Sequence, residues 1–277
     1  TYRYNVEFAA KAADALAEAI SQVNSGSTPY ALAEYKYDNI YDHVASEDSK
    51  TNFSDIFRTT GKGWKQPGST EAILRAPYIG ANGSNWNFTK NWGIKINEIV
   101  QHDALIHQPT ANYVNYYGMA NGLPLDDPES GFDPTHPFKG RDPRFYHDII
   151  FDGFQYINTT IGKDDPDYQF KYVQMYTGSN LRSSSSQGCR TGYYCQKLVP
   201  HQANKYDGMY NWGGALQCDL PYMRLADIYL MYAEAGAAVQ GANYKSNKCN
   251  LTAVDAINVL RDRVEAGHVA AKFAADQ

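Results

Sequence analysis

RLADIYLMYAEA (224–235) is apolar on more sides than a surface helix needs. Leu225, Ile228, Tyr232, Ala235 and Val239 recur at i, i+3, i+7, i+10 and i+14 and form one stripe. Tyr229, Leu230, Ala233 and Ala237 widen it well past the ~100° arc of an ordinary amphipathic helix. Arg224, Asp227 and Glu234 are left as a single polar edge. A helix covered on two sides is one layer of a stack, so the stretch predicts stacked helices.

The flanking sequence fits such a stack. The helix is expected to run to about residue 240, followed by a loop over 241–251 and a second helix from Thr252. Thr252 and Asp255 have capping-box spacing, and Val254, Ile257, Leu260, Arg261 and Val264 continue the helix to a C′ stop at Gly267. Near the N-terminus, VEFAAKAADALAEAISQV (6–23) places Ala9, Ala12, Leu16, Ala19, Ile20 and Val23 on one face, and Ser25-Gly26-Ser27 ends it. YALAEYKYDNIYDHV (30–44) is predicted as its helical partner. The expected fold class is mainly α: tetratricopeptide-like helix pairs with a loop-rich part and a few short strands. It forms a single domain over 1–277, with a helix pair at 1–45, a loop-rich insert at 46–215 and a repeat hairpin at 220–266. The repeat period itself is too degenerate to establish the pairing.

The middle of the chain reads differently. Gly, Asn, Ser and Trp dominate 61–93, interrupted by the strand-like EAILRAPYI (71–79). Pro109 opens a short helix that ends before the Asn121-Gly122 turn, and a proline-rich acidic loop follows at 123–138. RDPRFYHDIIFDGFQYI (141–157) alternates Phe145, His147, Ile149 and Phe151 against Tyr146, Asp148 and Ile150, predicting a strand that turns at Asp152-Gly153. Ser183 to Ser186 form a polar tract.

Composition narrows the function. The 277 residues carry a net charge of −5 with no Lys/Arg cluster, which argues against nucleic acid as a partner. No run of 18 apolar residues exists to span a bilayer. The sequence begins at Thr1 with no signal peptide, and 266–277 reads as a helix cut short, as expected of a fragment or processed form. Cys189 and Cys195 bracket a short loop that a disulfide could close in an oxidising compartment. Cys218 and Cys249 precede the starts of antiparallel helices, roughly 25 Å apart at 1.5 Å per residue, too far for a bridge. No C-x₂₋₄-C spacing supports zinc.

Three segments carry a family likeness. YMRLADIYLMYAEA (222–235) followed by AVDAINVLRDRV (253–264), PTANYVNYYGMANGLPLDD (109–127) leading to PFKGRDPRFYHDIIFDG (137–153), and TGYYCQKL (191–198) resemble, in order and spacing, the SusD/RagB family of nutrient-binding outer-membrane lipoproteins. The resemblance covers roughly residues 1–265. Family members usually carry a further N-terminal stretch with the lipid-bearing cysteine, and a C-terminal tail; neither is found in this sequence. The resemblance implies an α-rich superhelix with a loop-rich part packed against it, and a surface lipoprotein seated over a SusC-type TonB-dependent barrel. It also implies capture of a glycan, or in some branches a peptide, without catalysis or a cofactor.

Sugar recognition calls for flat aromatic faces beside planar polar groups. Trp86, Asn87, Trp92 and nearby Trp64 have this composition and lie in loops, so they are the candidate ligand-binding residues. Trp212 reads as structural. Tyr113, Tyr116 and Tyr117 stand at helical spacing and are expected in the core. Arg141, Asp142 and Arg144 are expected to form a structural ion-pair and hydrogen-bond network. Asp126, Asp127, Glu129 and Asp133 raise the alternative of a secreted glycoside hydrolase, but adjacent acids in a Pro/Gly loop are typical solvated turn residues. They also lack calcium-loop spacing. His102, His107, His136 and His147 show no matched partner, and no metal site, P-loop, dinucleotide or serine-hydrolase motif occurs. The five N-x-S/T sequons, at Asn52, Asn82, Asn87, Asn158 and Asn250, are of the kind an Asn-rich chain produces by chance.

Overall fold

The structure is a computed structural model, and it describes residues 5–40, 52–58, 69–75, 92–96, 98–100, 107–179, 181–182, 188–199, 202–208 and 220–275. In chain order the elements are α1 (Val6–Asn24), β1 (Ala72–Arg75), α2 (Ala111–Asn115), α3 (Pro143–Asp148), β2 (Ile149–Ile150), β3 (Tyr194–Cys195), β4 (Pro221–Arg224), α4 (Leu225–Gln240), α5 (Ala253–Asp262) and α6 (Ala271–Ala275). Short 3-10 turns lie at Phe53–Ile56 and Pro166–Phe170.

The 224–235 stretch begins as the last residue of β4 and continues as α4, which packs against α1 on one side and α5 on the other. Its buried stripe is Leu225, Ala226, Tyr229, Tyr232, Ala233 and Gly236. Leu230, expected inside, is 45% exposed, so the uncovered face of the stack lies there. α1 buries Ala13, Ala17 and Ile20, one step round from the expected face, and leaves Ala12 exposed. Small residues set the spacing: a Cβ added at Gly236 would lie 3.3 Å from that of Ala253 on α5. Tyr232 joins all three layers, because its hydroxyl donates to the Leu251 carbonyl (2.7 Å) and accepts from the Ser246 amide, while Ser246 donates to Asp14 on α1. The Tyr229 hydroxyl reaches Asn24 at the end of α1, and Arg263 at the end of α5 lies beside Arg224 at the start of α4, so both neighbours run antiparallel to α4.

Helix ends follow the expected chemistry with one exception. Thr252 and Asp255 form the capping box of α5, and the Asp227 carboxylate accepts the Arg224 amide at the start of α4. The exception is the stop after α5. The Ala266 amide bonds the Arg261 carbonyl and the Glu265 amide bonds that of Asp262, a Schellman pattern that puts Glu265, at φ +56°, in the left-handed position. Gly267 instead ties the end of the hairpin to the loop-rich part. Its amide donates to the Ala120 carbonyl (2.7 Å), and a Cβ there would fall on the Asn121 carbonyl.

Two predicted elements change type. Residues 30–40, the described part of the helix expected over 30–44, are not helical: Glu34 bridges Asn52 in an extended run up to residue 37, and 38–40 turn. Ala33, Tyr35 and Tyr37 turn inward while Glu34, Lys36 and Asp38 turn outward, a period of two that the tyrosines favour. The strand expected from 141 is instead helix α3 up to Asp148, because Asp142 caps it and Pro143 occupies its first turn. Only Ile149–Ile150 is strand, paired with Tyr194–Cys195 rather than across Asp152-Gly153. That dipeptide is a tight turn, with Gly153 at φ +86°. Both sides of this segment are buried, so alternation carried no information.

The loop-rich part has its own core, in which Ile94, Ile96, Val114, Phe145, Ile149, Phe151, Phe154 and Tyr194 participate. Strand pair β1–β4 links it to the stack, with Ala72 opposite Arg224 and the Leu225 amide bonded to Glu71. Cys189, Cys195 and Cys249 are free thiols, so no Cys189–Cys195 bridge closes that loop. Among the described residues no helix is long and apolar enough to cross a membrane.

Candidate functional site: a groove between the loop core and the helix stack

Where the two cores meet, three clefts adjoin. The first, of about 390 Å³, is lined by Trp92, Gln108, Thr110, Tyr113, Tyr117 and Lys197 among others. It shares Tyr113, Tyr117, Asp148 and Lys197 with a middle cleft of about 360 Å³, which adds Tyr116, Arg144, Leu230, Arg224, Arg261 and Arg263. That cleft shares Tyr116, Asp142, Arg144 and Arg261 with a third, of about 370 Å³, which reaches Phe273 on α6. Shared walls make the three a continuous groove. Trp92, Tyr113, Tyr116 and Phe273 set aromatic faces along it, with Tyr113 47% and Tyr116 87% exposed. Both tyrosines were expected in the core. α2 is only five residues long, and Val114 is its sole buried residue, so Tyr113 and the following Tyr116 are left outside the core on the groove wall.

The groove floor is held by buried charge. Glu71 is fully buried and accepts from Arg224 (2.9 Å), Arg263 (2.6 Å) and the Ala33 amide (2.8 Å). One carboxylate thereby ties residue 33, β1, β4 and α5 together. Arg141 caps the C-terminal end of α2 through the carbonyls of Val114, Tyr117 and Gly118, also bonds Pro137, and lies 4.6 Å above the Phe145 ring. Asp142 binds Arg144 bidentately at 2.9 and 2.6 Å. This is the structural network expected of Arg141, Asp142 and Arg144, though it surrounds a helix start rather than a strand start.

Behind the groove, Ser54, His147 and Asp148 fall into line. Ser54 Oγ lies 2.8 Å from His147 Nε2, and His147 Nδ1 lies 2.7 Å from Asp148 Oδ1. Burial, followed by the Arg58 charge, pushes His147 down to about 4, so the ring is neutral at pH 7. Burial alone would raise the Asp148 carboxyl, but Lys197 and the bonds from His147 and Tyr117 hold it well below the carboxylate range. These distances match a hydrolase triad, but the access does not. Ser54 and His147 are both 0% exposed, and Ser54 Oγ is also held by Tyr37 (2.7 Å) and by Arg58. The constellation therefore acts as a polar pin between the 52–58 segment and α3.

Of the four candidate ligand residues, Trp92 lies on the groove wall, half-buried, its ring 4.8 Å from that of His107. Trp64, Trp86 and Asn87 lie outside the described residues, as do Trp212, Cys218 and His102. Asp127 and Glu129 are both bound by Lys272, and Asp133 binds His136; Glu129 and Asp133 are on the surface, and Asp127 is partly covered. His147 and His136 thus have partners that the sequence does not assign. The adjacency of His147 and Asp148 is visible in the sequence, whereas Ser54, 93 residues away, gives no local signal. The basic lining escapes sequence reasoning as well, since Arg144, Arg224 and the Arg261/Arg263 pair come from three separate segments. Among the described residues no group of three or more His, Cys, Asp or Glu could hold a metal ion.

Comparison with solved structures places this fold among known ones. A SusD-like protein from Bacteroides fragilis aligns over 84% of this chain and 41% of its own at 21% identity, with a TM-score of 0.50. The protein designated BT4246 aligns over 100% of this chain and 48% of its own at 19% identity, with a TM-score of 0.58. The chain spans less than half the length of either structure. Comparison with curated proteins gives no match. The sequence profile of the SusD family matches residues 70–277, the greater part of the chain and the part that builds the groove. The chain belongs to the SusD family.

Proposed function

We propose that this chain is the ligand-capturing part of a cell-surface glycan-binding lipoprotein that passes oligosaccharide or polysaccharide to a SusC-type TonB-dependent barrel. Family membership supports a binding protein rather than a catalyst. The observation that carries the reading for this chain is the groove. Trp92, Tyr113 and Tyr116 line it together with Gln108, Thr110 and Lys197, a combination of flat apolar and polar groups that suits pyranose rings. Trp92 is the ligand residue proposed on this wall, and Trp86, Asn87 and Trp64 complete the proposed set. The helix stack that supports the groove fits a tetratricopeptide-like superhelix, with α4 as its central layer.

Titration of the protein against neutral and acidic oligosaccharides and mixed peptides tests this. Binding of a saccharide without turnover is expected, with Trp92→Ala weakening it roughly 3–10-fold at unchanged folding. Selective retention of peptides would replace glycan with peptide as the cargo. Release of shortened products from a labelled polysaccharide would make the protein a glycoside hydrolase. Full affinity in both Trp92→Ala and Trp86→Ala would move the site out of these loops.

A further inference from the structure

The middle cleft has more positive charge than its own carboxylates balance. Asp142 is taken up bidentately by Arg144, Asp148 pairs with Lys197 at 3.3 Å, and Glu71 is divided between Arg224 and Arg263. Arg261 has no carboxylate within ion-pair distance among the described residues; its guanidinium donates to the carbonyls of Gly122 (3.0 Å) and Gly267 (2.7 Å). Five cations therefore meet three carboxylates, and Asp227, which accepts the Arg224 amide, does not line the cleft. The surplus is felt locally. Burial first, and then the neighbouring Arg144, pull Arg261 below its ordinary value, and Arg263 is lowered by burial and by both Arg224 and Arg144. Nε of Arg263, a side chain only 8% exposed, has no hydrogen-bond partner among the described residues. Arg144 and Arg261 stand where the middle and third clefts join, beside the highly exposed Tyr116 ring.

We infer that the middle of the groove selects an acidic saccharide, a uronate-containing oligosaccharide whose carboxylate is the missing counter-charge for Arg261, beside the Asp142-paired Arg144, with Tyr113 and Tyr116 as the flanking ring platforms. This rests on the groove being a saccharide site. It narrows the substrate class from glycan to polyuronate. Guanidinium forks match a planar carboxylate in two parallel hydrogen bonds, and a groove excludes part of the solvent that screens such a pair. Neutral glycans can still use the aromatic faces, so charge adds to stacking instead of replacing it.

The test compares an oligogalacturonate with its fully methyl-esterified form, which keeps the ring and linkage but removes the charge. At low salt the free acid is expected to bind about tenfold more tightly than the ester, and the preference should shrink as ionic strength rises. Arg261→Gln should reduce it. Because that variant also alters two backbone contacts, Leu230→Glu supplies a second arm: Leu230 is 45% exposed on the same wall, and its replacement brings a carboxylate to the cleft without deleting a bond. Both variants should lower the ratio of acid to ester affinity; Leu230→Glu should do so while melting as the wild type does, and Arg261→Gln, which loses its bonds to the Gly122 and Gly267 carbonyls, should melt lower. Equal affinity for acid and ester overturns the acidic-sugar inference and leaves the glycan reading standing. Binding of no saccharide at all removes the glycan reading itself. A sulfated neutral oligomer that outcompetes the galacturonate, or an acidic peptide that does so, overturns the assignment to a sugar carboxylate.

Discussion

Replacing Glu71 by glutamine should cost more stability than any other single polar change on the groove floor. The fully buried carboxylate accepts three hydrogen bonds, two of them from guanidinium groups whose side chains are 8% and 21% exposed. Glutamine keeps the shape but has one acceptor oxygen. Its amide nitrogen must face either the Arg224 guanidinium or the Arg263 guanidinium together with the Ala33 amide, and the two guanidiniums lose their shared counter-charge. Removing one partner of a buried ion pair costs about 3–5 kcal/mol. The better-shielded Arg263 arm contributes most of this, and the Arg224 arm is discounted for its solvent contact. At about 2–4 °C per kcal/mol for a chain of this size, the melting temperature should fall by roughly 10 °C. Urea unfolding followed by tryptophan fluorescence and circular dichroism gives the measurement. A cycle with Arg263→Met should be strongly non-additive, because Glu71→Gln has less left to lose once that guanidinium is gone. A loss below about 1 kcal/mol, or strict additivity, would refute the idea that this carboxylate joins the two halves of the fold.

Three further outcomes follow from local geometry. Glu265→Gly should raise stability by about 1 kcal/mol in thermal melts, since Glu265 holds the left-handed position after α5 at φ +56°, where only glycine is unstrained. Gly267→Ala should lower stability by about 1–3 kcal/mol, because its Cβ would meet the backbone of Asn121, which cannot rotate away as a side chain can. The His147 imidazole should titrate near pH 4 by NMR instead of near 6.5. Since the unfolded chain takes up that proton first, stability is complete above about pH 6.5 and falls by roughly 3 kcal/mol as pH drops to 4. A midpoint above 6 would show that the ring is not sealed.

Legibility in the sequence followed the physical range of each interaction. The 3.6-residue periodicity of α4 and α5 and the Thr252/Asp255 cap are local and readable. The extended 30–37 segment reads as helix because Ala, Leu and Glu at its start favour helix, while the deciding bonds, Ala33 to Glu71 and Tyr35 to Pro143, are 38 and 108 residues away. Helix α3 is hidden by burial on both of its sides. The Asp142-Pro143 pair that starts it is a local signal that outweighs alternation. The aromatic character of the groove is partly legible through Trp92. Its basic floor is not, because Arg144, Arg224 and the Arg261/Arg263 pair lie 80 and 37 or more residues apart and meet only when the hairpin packs on the loop core.

The packing of α1 on α4 has a consequence for how the chain folds in time. The bonds between them span 205 residues from Asn24 to Tyr229, and 232 from Asp14 to Ser246 beyond α4. At about 5–20 residues per second of synthesis, roughly 10–40 s separates the appearance of α1 from that of its binding face. During that interval α1 lacks the α4 face on which it packs, whereas the loop core closes over shorter separations. The helix stack is thus expected to close last, as a clasp over a core already assembled. Mutations in α1 should therefore act mainly on the rate at which the finished fold reopens and leave the collapse of the loop core unchanged.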